Sequence, residues 1–377
     1  MALRVVIIPD KFKGTLTAPE AAAAIELGWR QARPKDRLEL IPMSDGGDGF
    51  GETLSFQGNG ERRRVKTINA AGEPIWTPWW WMPKSRTAVI ETAQVVGLAQ
   101  LPKGKFHPFD LDSYGLGTLV SKVLDVHPKT LLIGLGGSAT NDGGMGMARA
   151  LGWRFVSRDG RGIDSWTQLM ELRSIEAPRK QLPLPEVIVA VDVQNRLLGT
   201  KGASRVYGPQ KGLVEEDMHQ SEACLRELSK CFFKTTQRNE AIRPGSGAAG
   251  GLGFGCFAFL NGKAESGFDV FATRARLDQR LGRADLVITG EGSIDRSSLM
   301  GKGVGRVAEW CLEHQTPCIG LGGVVESFSS VKQAFTSVYS ILDSLNPRVD
   351  ESLAMTRPGK CLTQLAALAS GELRIEN

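Results

Sequence analysis

The side chains best placed for chemistry stand in polar, glycine-rich loops that each follow a short apolar run. Leu131, Leu132 and Ile133 read as a buried strand. The stretch 134–144 behind them is too rich in glycine for regular structure and too polar for core. Met145, Met147, Ala148 and Leu151 then return at helical spacing. A strand, a loop of this kind and a helix start together aim backbone N–H groups at an anion, and glycine lets a ligand approach the backbone. The loop offers Gly136, Gly137, Ser138 and Asn141 to such a ligand, while Asn141 or Asp142 is also suited to cap the helix. A second loop, 244–255, contains Gly247 and Gly250 and suits either close approach of a ligand or tight helix packing.

The charged residues fall into the same kind of position. Asp45 and Asp48 lie among Gly46, Gly47 and Gly49 after the predicted strand 38–41. Two carboxylates there can hold Mg²⁺ alongside phosphate oxygens, accept a proton from a substrate hydroxyl, or simply make a capped tight turn. Asp192 ends the continuously apolar run 187–191, which predicts a rigidly held and partly desolvated carboxylate suited to one hydroxyl. Asn195 follows three residues on, and Glu291 and Asp295 stand in the polar stretch behind the run 284–288. Lys11 and Lys13 follow the strand 4–8, at the carboxyl edge where open α/β sheets bind ligands. The plainer reading of two lysines is solvation.

Strands and helices alternate at both chain ends. A capping box of Thr17 and Glu20 starts a helix over 21–30, and helices are also predicted at 215–232 and, interrupted near Pro358, at 353–368. Between them, 61–81 alternates and turns at Ala71 and Gly72, which predicts a β-hairpin opening a different domain. Its tryptophans, Trp76, Trp79, Trp80 and Trp81, suit core or interface packing more than a binding platform. The expected architecture is therefore α/β, a parallel-sheet domain made of 1–60 and 283–377 with a second mixed α/β domain, 61–282, inserted into it.

Composition limits the function classes. The chain has 377 residues, 41% hydrophobic and 23% charged, with a net charge of +5 that is dispersed. This is an ordinary globular composition with no nucleic-acid footprint. No apolar run is long enough to span a bilayer, and the start of the chain reads as a strand rather than a signal peptide. The six cysteines form no C-x-x-C pair and the four histidines lie far apart, so free thiols in a cytoplasmic enzyme are expected.

Taken in order, Asp10-Lys11-Phe12-Lys13-Gly14-Thr15-Leu16, Ser44-Asp45-Gly46-Gly47-Asp48-Gly49, the loop 134–144, Gly208-Pro209-Gln210-Lys211-Gly212, the loop 245–253, and Gly290-Glu291-Gly292-Ser293-Ile294-Asp295 with Gly301-Lys302 resemble the bacterial glycerate kinase family, from about residue 4 to the C-terminus. The resemblance implies a flavodoxin-like domain built from both chain ends, and transfer of the γ-phosphate of ATP, with Mg²⁺, to the 2-hydroxyl of D-glycerate. Departures stand at Val191, Thr118 and Ser297, where the family usually shows Cys, Glu and Gln.

With no Walker A pattern present, phosphates are expected on the loops 134–141 and 245–251, with Gly136, Gly137, Ser138, Asn141, Gly247, Gly250 and Glu291 as nucleotide contacts. Lys11, Lys13, Asp45, Asp48, Asn195 and Lys211 are the expected glycerate contacts, Asp192, Lys11, Asp45 and Asp295 the catalytic set, and Asp45 and Asp295 the metal ligands. The partners expected are these two small molecules, with no nucleic acid or membrane, for a monomer or homodimer. The alternative is an NAD-dependent oxidoreductase of a small hydroxy acid, because Gly134-x-Gly136-x-x-Ala139 formally fits the dinucleotide fingerprint. Against it, no strand-end acid stands clearly about 20 residues on.

Overall fold

The computed structural model describes residues 2–373 apart from Asp45, Asp48, Gln181, Ser297, 299–302 and 327–328. Two compact units divide the chain, one of Met1–Asp45, Phe56–Gly58 and Phe268–Asn377, the other of Gly46–Ser55 and Asn59–Gly267. The strands in chain order are β1 Arg4–Pro9, β2 Arg37–Leu40, β3 Glu61–Ile68, β4 Pro74–Met82, β5 Thr87–Glu91, β6 Thr130–Gly134, β7 Arg154–Ser157, β8 Leu172–Glu176, β9 Glu186–Ala190, β10 Lys263–Glu265, β11 Leu286–Ile294, β12 Cys318–Val325 and β13 Ser337–Ser340.

The terminal unit is a five-stranded sheet in the order β13-β12-β11-β1-β2, parallel throughout. Counted within the unit this is 2-1-3-4-5, the flavodoxin-like order, whose direction reverses between β1 and β11. The sequence explains its helices. Thr17 accepts from the Glu20 N–H while Glu20 accepts from the Thr17 N–H, closing the expected capping box on Ala18–Ala32. Ile25 and Trp29 of that helix are fully buried with Val5, Ile7, Ile288 and Leu362. The segment 290–294, which reads as loop, continues β11, because Glu291, Ser293 and Ile294 pair with Gly322, Val324 and Val325 of β12. Pro358 starts the helix Pro358–Glu372, where its missing N–H costs nothing.

The inserted unit holds a six-stranded mixed sheet, β10-β9-β6-β5-β4-β3. Its β3–β4 hairpin pairs Glu61 with Trp81 and Ile68 with Pro74, around the expected turn. Trp79 and Trp81 enter the core, Trp80 is buried against Gly51, and Trp76 alone of the four lies exposed. A Cβ on Gly51 would meet the Trp80 ring at 2.1 Å. A second core lies under the helix Glu215–Thr236, where Phe232, Phe254 and Phe259 meet edge to face with centroids 5.5–6.2 Å apart. Several elements have no sequence counterpart above: the β7–β8 ribbon, the strand β10, and the helices Phe50–Gly58 and Ala203–Lys211. The expected boundaries at 60/61 and 282/283 compare with observed divisions at 45/46 and 267/268, small excursions at 56–58 aside.

Candidate active site

Three motifs far apart in the sequence meet at the carboxyl ends of β6 and β9. A Cβ built on Gly134 would lie 2.8 Å from the Gly46 carbonyl, one on Gly136 would touch the Gly47 Cα at 3.5 Å, and one on Gly46 would lie 3.7 Å from Asp192 Oδ2. Gly46 itself has φ +93°, a conformation glycine alone enters freely. The stretch 134–144 is anchored from β5 onward. Thr92 Oγ1 donates to the Gly134 and Gly136 carbonyls at 3.1 Å, and the Ala139 N–H donates to the Val96 carbonyl at 2.7 Å.

The helix behind this loop does not present its N-terminus to an anion, contrary to the sequence expectation. It is short, Met145–Ala150, and its end is occupied by the chain's own Asp142. Asp142 is fully buried and accepts from the N–H groups of Ser113, Gly144 and Gly146 at 2.9–3.1 Å, and from the Ser113 hydroxyl at 2.6 Å. Ser113 Oγ in turn accepts from the Met147 N–H at 2.9 Å. Nor does the helix start directly after Gly136, as a dinucleotide-binding turn requires; seven residues of loop intervene before its Gly144 cap.

Asp112 lies beside this centre. Burial, and then the neighbouring Asp142 charge, raise its pKa from 3.8 to about 6. The folded carboxyl binds its proton more tightly than the unfolded one. Its contribution to stability is therefore fully present below about pH 4 and lost as pH rises through about 6. Asn at this position keeps an acceptor for the Tyr114 N–H, which Asp112 Oδ1 receives at 2.9 Å. Asp112→Asn is thus expected to raise the thermal midpoint at pH 7 by a few degrees, on the order of 1 kcal/mol given its partial exposure. The gap should close below pH 4. Equal midpoints for variant and wild type at pH 7 would dismiss the strained carboxyl pair.

The loop 245–251 is irregular where it was expected to be, but the glycines after it belong to a helix. Ala248–Phe259 opens with left-handed residues, Ala249 (φ 54°), Gly250 (φ 72°) and Gly251 (φ 84°). Gly250 lies so close to the other loop that a Cβ would meet the Thr140 carbonyl at 1.9 Å. Gly253 and Gly255 serve packing, since a Cβ on either would meet Gly245 or Gly144 backbone at 2.0 or 2.8 Å. These glycines are thus accounted for by close packing within the fold, Gly250 against the loop 134–144 and Gly253 and Gly255 against backbone beside the helix.

Lys211 joins these loops. Its Nζ donates to the Thr140 carbonyl at 2.7 Å and to Ser138 Oγ at 3.0 Å, and Ser138 Oγ donates to the Ala249 carbonyl at 2.8 Å. Burial lowers its pKa from 10.5 to about 7, with Asp142 acting in the opposite direction. Gly247 donates its N–H to the Asn195 carbonyl at 2.9 Å. The Asn195 amide is engaged within the fold: it accepts from Tyr207 Oη at 2.7 Å and donates to the Lys201 carbonyl at 2.8 Å. Asp192 follows β9 as expected, but its side chain is exposed rather than desolvated, because it stands past the last paired residues of the strand. Its Oδ1 accepts from the Gly267 N–H at 2.9 Å.

In the terminal unit, the loop after β1 and the far end of β11 flank the reversal point of the sheet. Lys11 is half-buried, Lys13 is exposed, and the Lys11 N–H donates to Asp10 Oδ1 at 2.7 Å. Gly292 runs beside them, a Cβ there lying 3.3 Å from the Lys13 nitrogen. Asp295 Oδ1 accepts from the Ser298 N–H at 3.1 Å just past the end of β11, and Glu291 stands within that strand. Asp45, Asp48, Ser297, Gly301 and Lys302 lie outside the described residues. Among the described residues, no three of His, Cys, Asp and Glu cluster as a metal site. A cavity of about 310 Å³ between β12 and the helix Gly303–Glu313 is lined by Cys311, Leu312, Pro317 and Phe335 and by none of the motif residues.

The model of the Glycerate kinase family matches residues 5–369. The chain belongs to the glycerate kinase family. A glycerate kinase of Halalkalibacterium halodurans is 36% identical over 96% of each chain, and the glycerate 2-kinase of Escherichia coli K12 is 34% identical over 91% of each. The crystal structure of a candidate glycerate kinase 2 from Salmonella typhimurium LT2 superposes with a TM-score of 0.85 at 32% identity, covering 98% of both chains. Family membership leaves the oxidoreductase alternative without support. Within this family chain, sequence reasoning missed Glu91, Thr92, Ser113, Ser204 and Tyr207. Each takes its part through a partner on another segment of the fold, which local pattern does not disclose. Glu91, for example, accepts the Gly49 and Gly51 N–H groups at 3.2 and 2.7 Å, fixing the described end of the 44–49 motif.

Proposed function

We infer that the protein is an ATP-dependent glycerate kinase acting on D-glycerate, and that the 2-hydroxyl is the acceptor. The observation that carries the reading is the meeting of Gly46–Gly47, the loop 134–141 and Asp192 in a chain of this family. Phosphoryl transfer asks a protein for positioning and charge neutralisation rather than covalent chemistry; glycine loops suit both through their backbone N–H groups, and a strand-end carboxylate suits acceptance of the hydroxyl proton.

The loops containing Gly136, Gly137, Ser138, Asn141, Gly247 and Gly250, with Glu291, hold the nucleotide. Lys11 and Lys13 hold the glycerate carboxylate, with Asp48 and Asn195 as further contacts. Asp192 accepts the proton of the attacking hydroxyl. Mg²⁺ shared with phosphates asks for only one or two carboxylates, a demand that Asp295, half-buried at the end of β11, and Asp45 suit. When bound, the ion neutralises phosphate charge. Six cysteines, all free and buried, fit a reducing cytoplasmic setting. We propose further a monomer or homodimer.

Purified protein given ATP, D-glycerate and MgCl₂ near neutral pH is expected to release ADP, and phosphorus NMR to show the 2-phosphate ester. Release of no ADP would overturn the kinase reading. A 3-phosphate ester would overturn the acceptor assignment alone.

A further inference from the structure

Helix Ala203–Lys211 has no part in the roles above, yet it faces the loop 134–144 with two buried polar side chains seven residues apart, hence on one face. From its last turn Lys211 holds the Thr140 carbonyl and Ser138 Oγ. From its first turn Ser204, fully buried, meets Asn141 Nδ2 at 2.9 Å through its Oγ. Consecutive loop residues are thus fixed from behind. The remaining polar atoms of the same two residues, Thr140 Oγ1 and Asn141 Oδ1, are buried and have no hydrogen-bond partner among the described residues. Buried polar groups are normally satisfied, and two adjacent exceptions on one loop call for an external partner. A phosphate group meets the need. The threonine hydroxyl donates to it, and the asparagine amide, turned over so that its oxygen accepts from the Ser204 hydroxyl, presents its N–H₂ to it.

We propose that Ser204 and Lys211 are positioning residues of the nucleotide site, holding Asn141 and Thr140 in place for a phosphate, and that Lys211 does not touch glycerate. This rests on the kinase reading above. Its consequence is selective. The helix acts on the loop that binds nucleotide, so damage to it appears in nucleotide affinity and leaves glycerate binding unchanged. A merely structural role would lower the thermal midpoint without separating the two substrates.

The test is ADP binding by calorimetry without glycerate, together with both KM values, for Lys211→Met and Ser204→Ala. Methionine keeps the length of the lysine stem and removes its bonds, and alanine removes one hydroxyl. The ADP Kd and the KM for ATP are expected to rise about tenfold or more in Lys211→Met and about fivefold in Ser204→Ala, with the KM for glycerate within about twofold of wild type. If Lys211→Met fails to fold, Ser204→Ala decides. Wild type that binds ADP while Ser204→Ala binds it equally well overturns the positioning role, as does a rise in the glycerate KM alone. Wild type that binds no ADP overturns the kinase reading and this proposal with it.

Discussion

Replacing Asp142 by alanine is expected to lower the thermal midpoint of the inserted unit by roughly 10 °C, measured by scanning calorimetry without nucleotide. The carboxylate receives four hydrogen bonds in a site with no access to water, three from backbone N–H groups and one from the Ser113 hydroxyl. Alanine leaves those donors buried and unmet. Stranding a buried hydrogen-bonded charge network costs about 3–5 kcal/mol, and a domain of this size moves about 2–4 °C per kcal/mol. Asn at the same place keeps one acceptor oxygen but turns an N–H₂ toward the other donors, so its midpoint should fall between the two. Ser113→Ala removes one donor to Asp142 and the acceptor of the Met147 N–H. Its effect should be less than additive with that of Asp142→Ala, because both act on one network. A midpoint for Asp142→Ala within about 2 °C of wild type would show that the loop is held by its glycine conformations and not by this carboxylate.

The same residue shows where sequence reasoning stops. The strand–loop–helix pattern around 131–151 is legible because apolar spacing and glycine density are local properties, and the structure places β6 and the helix Met145–Ala150 there. Which donor a buried carboxylate will find is not local. Asp142 read as a candidate helix cap, and Ser113, which donates its hydroxyl hydrogen to the Asp142 carboxylate, is 29 residues away. The hairpin of 61–81 was readable from alternation and its Ala71–Gly72 turn. The extension of β11 through 290–294 was not, since glycine and polar residues in a strand are tolerated only when a partner such as β12 pairs with them.

The site divides in the same way. Its motifs were visible as glycine loops, because close backbone approach demands glycine: Gly46, Gly134 and Gly250 each lie where a Cβ would meet another chain segment. What fixes those loops was invisible. Thr92, Ser204 and Tyr207 are ordinary polar residues whose value comes from tertiary position. The desolvation expected for Asp192 also failed for a tertiary reason. An apolar strand predicts burial of the strand, but the residue after it emerges at the sheet edge where ligands bind.

That exposure sharpens the expectation for Asp192. One carboxylate oxygen, Oδ1, is fixed by the Gly267 N–H at 2.9 Å, so the orientation of the group is set while its face remains open to solvent. Asparagine can keep this bond through its amide oxygen while losing the negative charge and basicity. Asp192→Asn therefore removes the proposed proton acceptor with the Gly267 anchor retained. General-base assistance contributes about 10²–10⁴ to rate, so kcat should fall at least about a hundredfold, with the ADP Kd unchanged. Asp192→Ala loses the Gly267 anchor as well and should lower the thermal midpoint, which the asparagine variant should not. The rival role, an anchor for the turn at Gly267, predicts the opposite pairing: near-normal kcat in Asp192→Asn, with both activity and stability lost in Asp192→Ala. Measuring kcat and the midpoint for the two variants separates the roles, and a full-rate asparagine enzyme would remove Asp192 from the chemistry and leave it as a structural bond.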